Sequence, residues 1–323
     1  MLRLKDGIHF DLSRTIVADA RGAVGDVNVV SHAHADHLLE RASTGTVVCS
    51  AATAALAGAR TGADVEFVEE TDGILLLPAG HIVGSRAALI EEDGRRFLYT
   101  GDVSTRDRLS LRGFEPVPAD ELVVETTYGH PDYRFPDQRE LEGRIVDWIA
   151  DAEDRPLFLF GYSLGRAQEI QALAERATNR RLVAHGAVAK MNRVIESVSD
   201  RRFSAVPYAE VDELAPDDVF VVPTHLARNG WVNRLADRLG AAKVGFSGWA
   251  VDESFRYRGG YDETFVLSDH CDFDELVDLV GAVDPERVYT HHGFDETFAS
   301  HLATEHGYEA YPLRRNQRTL GEF

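Results

Sequence analysis

The stretch Val27–His37 reads VNVVSHAHADH: four mostly apolar residues, then three histidines and an aspartate within six positions. Val27–Val30 has the composition of a short buried strand, and the apolar-and-acidic run LLERA that follows is expected to start a helix. The donors between them therefore lie on a loop at a strand's C-terminal end. In extended backbone, residues i and i+2 face the same way. His32 and His34 can thus chelate one ion, while the turn that follows swings Asp36 and His37 toward a second position. Imidazole nitrogen with carboxylate oxygen suits a borderline-soft dication, so zinc is expected, with manganese as the alternative. A lone loop histidine is usually structural; four donors packed behind a strand are a sequence mark of a metal site.

At 323 residues the chain has length for roughly two domains of ~150 residues, and its 44% hydrophobic content indicates a globular core. No apolar run approaches the ~18 residues of a membrane span, and MLRLKDGIHF lacks the apolar core of a signal peptide, so a cytoplasmic protein with no membrane partner is expected. Cys49 and Cys271 are far apart, suggest neither a disulfide framework nor a zinc knuckle, and read as packed thiols. The net charge of −20, with only three lysines among 34 basic residues, resembles proteins of halophilic archaea, where concentrated salt screens self-repulsion. The same charge repels a nucleic acid at long range, so such a substrate requires a local arginine patch or high salt.

Residues 2–20 alternate as two strands of a hairpin, ending at Asp19, which either orients a ligand histidine or caps a turn. TVVCS reads as a strand and AATAALAGARTG as a helix closed by glycine. From Ile74 to Ser104 the pattern is strand, loop, strand, hairpin turn at Asp93-Gly94, strand and loop, with His81 in the first loop and Asp102 in the last. Both follow apolar strands, so both can converge on the edge that carries the first motif. Between the GD loop and LSDHCDF, helices alternate with strands: ELEGRIVDWIADAE, PLFLFGY, GRAQEIQALAERA and NGWVNRLADRLG. DFDELVDLVGAV, PERVYT and DETFASHLATEHG then add a helix, a strand and a helix, with His270 and His292 at strand ends flanking the first.

HAHADH, AGHIVGS and YTGDVS, in this order, resemble the metal motifs of the metallo-β-lactamase fold. ELVVETTYGHPDY, GYSLGRAQEI, LSDHCDF and VYTHHGF further resemble its nucleic-acid-processing β-CASP branch. That branch includes mRNA 3′-end processing factors and DNA ligase-associated exonucleases. The resemblance implies an α/β fold: an αββα sandwich from residues 1–125 and 255–323, with a short inserted β-CASP-like α/β cap at 126–254. It implies two zinc ions, the first on His32, His34 and His81, the second on Asp36, His37 and His292, with Asp102 bridging. His292 is preferred to His291 because it precedes Gly293, and a histidine here separates the chain from Artemis-like DNA nucleases. His270 is the implied general acid, oriented by Glu125. Gly165 and Arg166, at a turn opening a helix, are implied phosphate contacts, although a plain strand-to-helix turn has the same sequence.

The implied activity is hydrolysis of single-stranded nucleic acid, RNA before DNA, by an exonuclease; the DNA alternative is a ligase-associated repair exonuclease. A homodimer is admitted. A metallo-β-lactamase hydrolase of thioesters or lactams explains the metal donors but not Glu125, Arg166 and His270. A non-catalytic processing subunit conflicts with the full set of donors.

Overall fold

A computed structural model describes residues 2–22, 24–40, 45–63, 65–109, 111–152 and 155–314. It divides into two compact units, one of Met1–Arg106, Leu111–Asp132 and His270–Phe323, the other of Asp107–Ser110 and Tyr133–Asp269. The divisions fall at 132/133 and 269/270 rather than at the expected 125/126 and 254/255. Thr126 still accepts backbone bonds from Gly129 and Phe294 of the first unit, and Glu263–Phe265 is a strand of the second unit's sheet.

In the first unit the N-terminal residues form three antiparallel strands rather than a hairpin: β1 (Leu2–Lys5), β2 (Gly7–Asp11) and β3 (Thr15–Ala18). β4 (Val27–Val29) and β5 (Thr46–Val48) continue this sheet in parallel. The helix expected after the histidine motif is a single 3-10 turn, Ala35–His37, and residues 38–40 are not helical; residues 41–44 lie outside the described residues. Helix α1 (Ala51–Thr61) is N-capped by Ser50, which accepts from the Thr53 amide, and its Ala54 and Ala57 line a small cavity together with Val47 and Cys49 at the first sheet. β6 (Ile74–Pro78), β7 (Arg86–Glu92) and β8 (Arg95–Tyr99) are antiparallel. The β7–β8 turn is Asp93-Gly94, both residues with positive φ (51° and 78°), the geometry of a two-residue hairpin. β9 (Glu121–Thr126) runs parallel to β8.

The second unit follows: α2 (Gln138–Asp151), β10 (Leu157–Gly161), α3 (Arg166–Ala177), β11 (Leu182–Ala184), α4 (Gly186–Val198), β12 (Val206–Pro207), β13 (Val219–Pro223), α5 (Gly230–Leu239), β14 (Ala242–Phe246), α6 (Ser254–Gly259) and β15 (Glu263–Phe265). Its sheet, in order β12-β11-β13-β10-β14-β15, is wholly parallel. Strands such as LFLFG and VFVVP are buried along their length because helices cover both faces, which is why they read as unbroken apolar runs.

The chain then completes the first unit with α7 (Phe273–Val283), β16 (Arg287–Gly293), α8 (Asp295–Glu305) and β17 (Glu309–Pro312), giving a second sheet in order β17-β16-β9-β8-β7-β6. Alternation along β9 explains the layers. Val123 joins Phe10, Val27, Val48, Ile90 and Tyr99 between the two sheets, whereas Leu122 and Val124 join Leu276, Val280 and Phe298 under α7 and α8. The result is an αββα sandwich. Asp272 caps α7 in a capping box with Glu275, which fixes the chain at His270 just before it. Cys49 and Cys271 are buried and free. Among the described residues no helix is long and apolar enough to cross a membrane.

Candidate metal centre

All the expected donors but one converge where β4, β6, β8, β9 and β16 end. His32 and His81 are fully buried, Asp102 and His37 nearly so, His34 is half-buried and Asp36 exposed. His32, His34, His81 and Asp102 each bring a ligand atom within 4.8 Å of the others. Nε2 of His32 lies 3.3 Å and Nε2 of His81 3.6 Å from Oδ2 of Asp102, and Nε2 of His81 lies 3.1 Å from Nδ1 of His34. The other oxygen of Asp102, Oδ1, is 3.7 Å from Nε2 of His37, which is also 3.7 Å from Oδ2 of Asp36. One carboxylate thus faces two donor groups with its two oxygens. Asp102 reaches this position through Gly101, which has a φ of 56° and packs so closely on Ser31 that a side chain would put its Cβ 2.7 Å from that of Ser31, so only glycine fits.

Asp19 organises the donors from behind. Its carboxylate accepts from the Ser31 amide (2.7 Å), the Ser31 hydroxyl, the Tyr99 hydroxyl (2.7 Å) and Nδ1 of His37 (2.7 Å). A carboxylate only accepts, so His37 carries a proton on Nδ1, and Nε2, which faces Asp36 and Asp102, is the nitrogen left for a metal to take in place of a proton. The Ser31 hydroxyl hydrogen is taken by Asp19, so Nδ1 of His32, 2.9 Å away, donates to Ser31 and Nε2 of His32 is likewise free to coordinate. Of the two roles open to Asp19, the contacts show the orienting one. Burial works to raise its carboxyl, but the charge and hydrogen bond of His37 outweigh this and hold it below its ordinary value. Asp102 behaves alike: burial raises it, His37 and His32 pull it well below the usual range. In the metal-free chain, burial opposes protonation of His37, yet Asp102, Asp19 and Asp36 together push it up to about 10. The pocket is built to hold positive charge.

The seventh donor differs from expectation. β16 pairs with β9 with a bulge between His291 and Gly293, and the extra residue, His292, takes a left-handed φ of 65° and an exposed position. A bulge residue is left out of the ladder and turned outward. His291, paired with Glu125, faces inward instead: its field comes from Asp102, Glu125 and His37, its ring lies 5.8 Å from that of Tyr99, and burial lowers it to about 4. It is therefore neutral, and its buried Nε2 has no hydrogen-bond partner among the described residues. An orphaned imidazole nitrogen beside carboxylates is a fitting ligand for a dication. The donor set as a whole, imidazole nitrogens with carboxylate oxygens, fits zinc or manganese.

His270 donates from Nδ1 to Oε1 of Glu125 at 2.8 Å, and its ring is 4.5 Å from that of His81. Glu125 is buried and also accepts from the amides of Thr127 (2.8 Å) and Val103 (3.4 Å). Burial raises the Glu125 carboxyl, but His270 overrides this and keeps it ionised.

No family model matches the chain. It is 35% identical over 307 residues to a probable DNA ligase of Opitutus terrae, the match covering 90% of this chain and 29% of that one. It is 27% identical over 308 residues to DNA ligase 6 of Arabidopsis thaliana, covering 82% of this chain and 21% of that one. With cleavage and polyadenylation specificity factor 73 of Drosophila melanogaster it shares 36% identity over 113 residues, 33% of this chain and 16% of that one. This chain belongs to the metallo-β-lactamase β-CASP nuclease family. It spans less than a third of the length of these relatives. A crystal structure of a protein of unknown function from Enterococcus faecalis V583 shares the fold, with a TM-score of 0.59 at 15% identity over 84% of this chain and 76% of that one.

In this β-CASP chain the expected phosphate turn is internally committed. Arg166 is 1% exposed and ion-paired with the equally buried Asp269, and the Gly165 amide donates to Oε1 of Gln168 at 2.7 Å. This is the strand-to-helix turn with the arginine buried rather than solvated. His291, Tyr99 and Ser31 are the site residues the motifs did not single out. Ser31 directly precedes the histidine motif and Tyr99 opens YTGDVS, and the signal for them was that position.

Proposed function

We propose that this chain is a dinuclear zinc nuclease that hydrolyses single-stranded DNA ends. The observation that carries the reading is the divided donor set: His32 and His81 face one oxygen of Asp102 with His34 beside them, His37 faces the other oxygen with Asp36 beside it, and His291 lies near the second group. When bound, the metals would supply Lewis acidity, acidifying water and neutralising the attacked phosphate. The chain's own contribution is to position and to transfer a proton. Asp19 holds His37 directly and His32 through Ser31, so both rings present Nε2 without reorganisation. Glu125 accepts a hydrogen bond from Nδ1 of His270 and so orients the ring, and a proton carried on Nε2 then passes to the departing oxygen.

For the substrate, the relatives that match most of the chain are named DNA ligases, whereas the RNA-processing relative matches a third of it. That difference moves the preference from RNA, favoured on motifs alone, to DNA that a ligase would receive. End-labelled DNA and RNA of one sequence, digested side by side with zinc or manganese, test it. Faster loss of DNA by at least tenfold, abolished by chelator, is expected. Equal or faster loss of RNA would return the substrate to RNA, and chelator-insensitive cleavage would end the metal mechanism.

A further inference from the structure

The second unit carries a feature that the metal chemistry does not use. At the carboxyl edge of its parallel sheet, five of the six strands are followed within three residues by an aromatic ring: Tyr208 after β12, His185 after β11, His225 after β13, Tyr162 after β10 and Trp249 after β14. Those strands are neighbours in that order, and parallel strands lie roughly 4.8 Å apart, so the row extends about 19 Å. The register keeps the rings near one level. Ala184 pairs with Pro207, so His185 and Tyr208 are the next residues out; Gly161 pairs with Pro223, so Tyr162 stands beside Thr224, just before His225. The row is open to solvent: Tyr162 is 53% exposed, His225 is exposed, and the other three are half-buried. His185 and Tyr208 are braced by Trp231 of α5, whose ring lies 6.2 Å and 5.9 Å from theirs.

Charge along this edge runs against the rest of the chain. Acidic residues make up 54 of 323, yet none occurs between Asp154 and Glu169, Glu175 and Glu196, Asp218 and Asp237, or Asp237 and Asp252, the four stretches that cross the edge at β10, β11, β13 and β14. Buried strands account for part of this, but the exposed turns after β10, β11, β13 and β14 are equally free of acid, whereas the turn after β12 carries Glu210. α4 and α5 open here with no acidic residue in the first turn, whereas α3, which also opens here, has the buried Glu169 ion-paired with Arg108, and α2, α7 and α8 each have at least one. Two positive helix ends are thus left uncompensated, with Lys190, Arg193, Arg228 and Arg234 exposed on or beside these helices. The ligand that such a surface suits has both flat apolar faces and a line of negative charge.

We propose that this edge binds single-stranded nucleic acid, its bases stacking on the aromatic row and its phosphates lying along the acid-free helix starts. At a stacked rise of about 3.4 Å the row accommodates on the order of five nucleotides. The proposal rests on the nuclease reading for its choice of polymer, but its test does not depend on cleavage.

The test is fluorescence anisotropy of the metal-loaded full chain with a labelled twelve-nucleotide thymidine oligomer carrying phosphorothioate linkages, alongside an abasic oligomer of equal length. Base-aromatic stacking implies that Tyr162→Ala and His225→Ala each weaken binding about tenfold, that Tyr162→Phe stays within twofold of wild type, and that the abasic oligomer binds at least tenfold more weakly. Hydrolysis of bis(p-nitrophenyl) phosphate should be unchanged in all three variants. Affinity of the double alanine variant within twofold of wild type, or equal binding of abasic and thymidine oligomers, would overturn the stacking edge. Absence of bis(p-nitrophenyl) phosphate hydrolysis in the wild type would instead count against the nuclease reading, and the binding result would still decide the edge.

Discussion

Replacing Asp19 by Asn isolates the contribution of the group behind the metal donors. One oxygen of Asp19 takes three donors, from Ser31, Tyr99 and His37, and the other takes the Ser31 amide. Asparagine has one oxygen for these two sides. Kept toward the three donors, it points its NH2 at the Ser31 N–H and leaves that buried amide unpaired, which costs about 1–3 kcal/mol. The backbone tolerates the change, because Asn accepts the left-handed φ of 49° found here. The lost charge also loosens both His37 and, through Ser31, His32. Loss of such an orienting group costs about 10–100-fold in metal affinity, or about 1.4–2.7 kcal/mol. Competition against a chromophoric chelator reads the affinity, and urea unfolding of the metal-free protein reads the stability. Unchanged metal affinity in a folded Asp19→Asn protein would refute the orienting role.

His270→Ala should retain its metals and lose ~10²-fold or more in rate, with much smaller loss on substrates having a better leaving group; equal losses on both would remove the general-acid role. His291→Ala should lower metal content while His292→Ala leaves it intact, as measured by elemental analysis, and the reverse result would restore His292 as the ligand. In the metal-free chain Asp19, Asp102 and Glu125 are all held below the ordinary 3.8 and 4.5, so their stabilisation is present above those values and is lost as pH falls below them. Circular dichroism should therefore show cooperative acid unfolding below about pH 4, and stability that does not change with pH there would count against the carboxylate network. Folding should strengthen toward molar salt as repulsion within a chain of charge −20 is screened; a melting temperature falling steadily with added KCl would contradict this.

The donors were legible because short-range order and chain periodicity encode them: His32 and His34 share a side of extended backbone, and His81 and Asp102 each follow an apolar strand. That His291 rather than His292 faces inward was not, because it depends on a bulge whose left-handed residue is histidine, a conformation that no pattern of apolar residues signals. The pairing of Arg166 was hidden for a different reason. Its partner, Asp269, is distant in sequence, and nothing local separates a buried arginine from a solvated one. The second unit's boundary was misplaced because its last strand, β15, has three residues, too few for alternation to show.

The first unit is gathered from both sides of the second: β9, with Glu125, pairs with β16, with His291. During synthesis the donors from His32 to Asp102 leave the ribosome well before His270 and His291. At translation rates of ~5–20 residues per second, the interval between Asp102 and His291 is on the order of 10 to 40 s. Throughout it the nascent chain holds the donors from His32 to Asp102 but neither His270 nor the inward-facing ring of His291. On the proposed reading of the site, hydrolysis would wait until the whole second unit has been made.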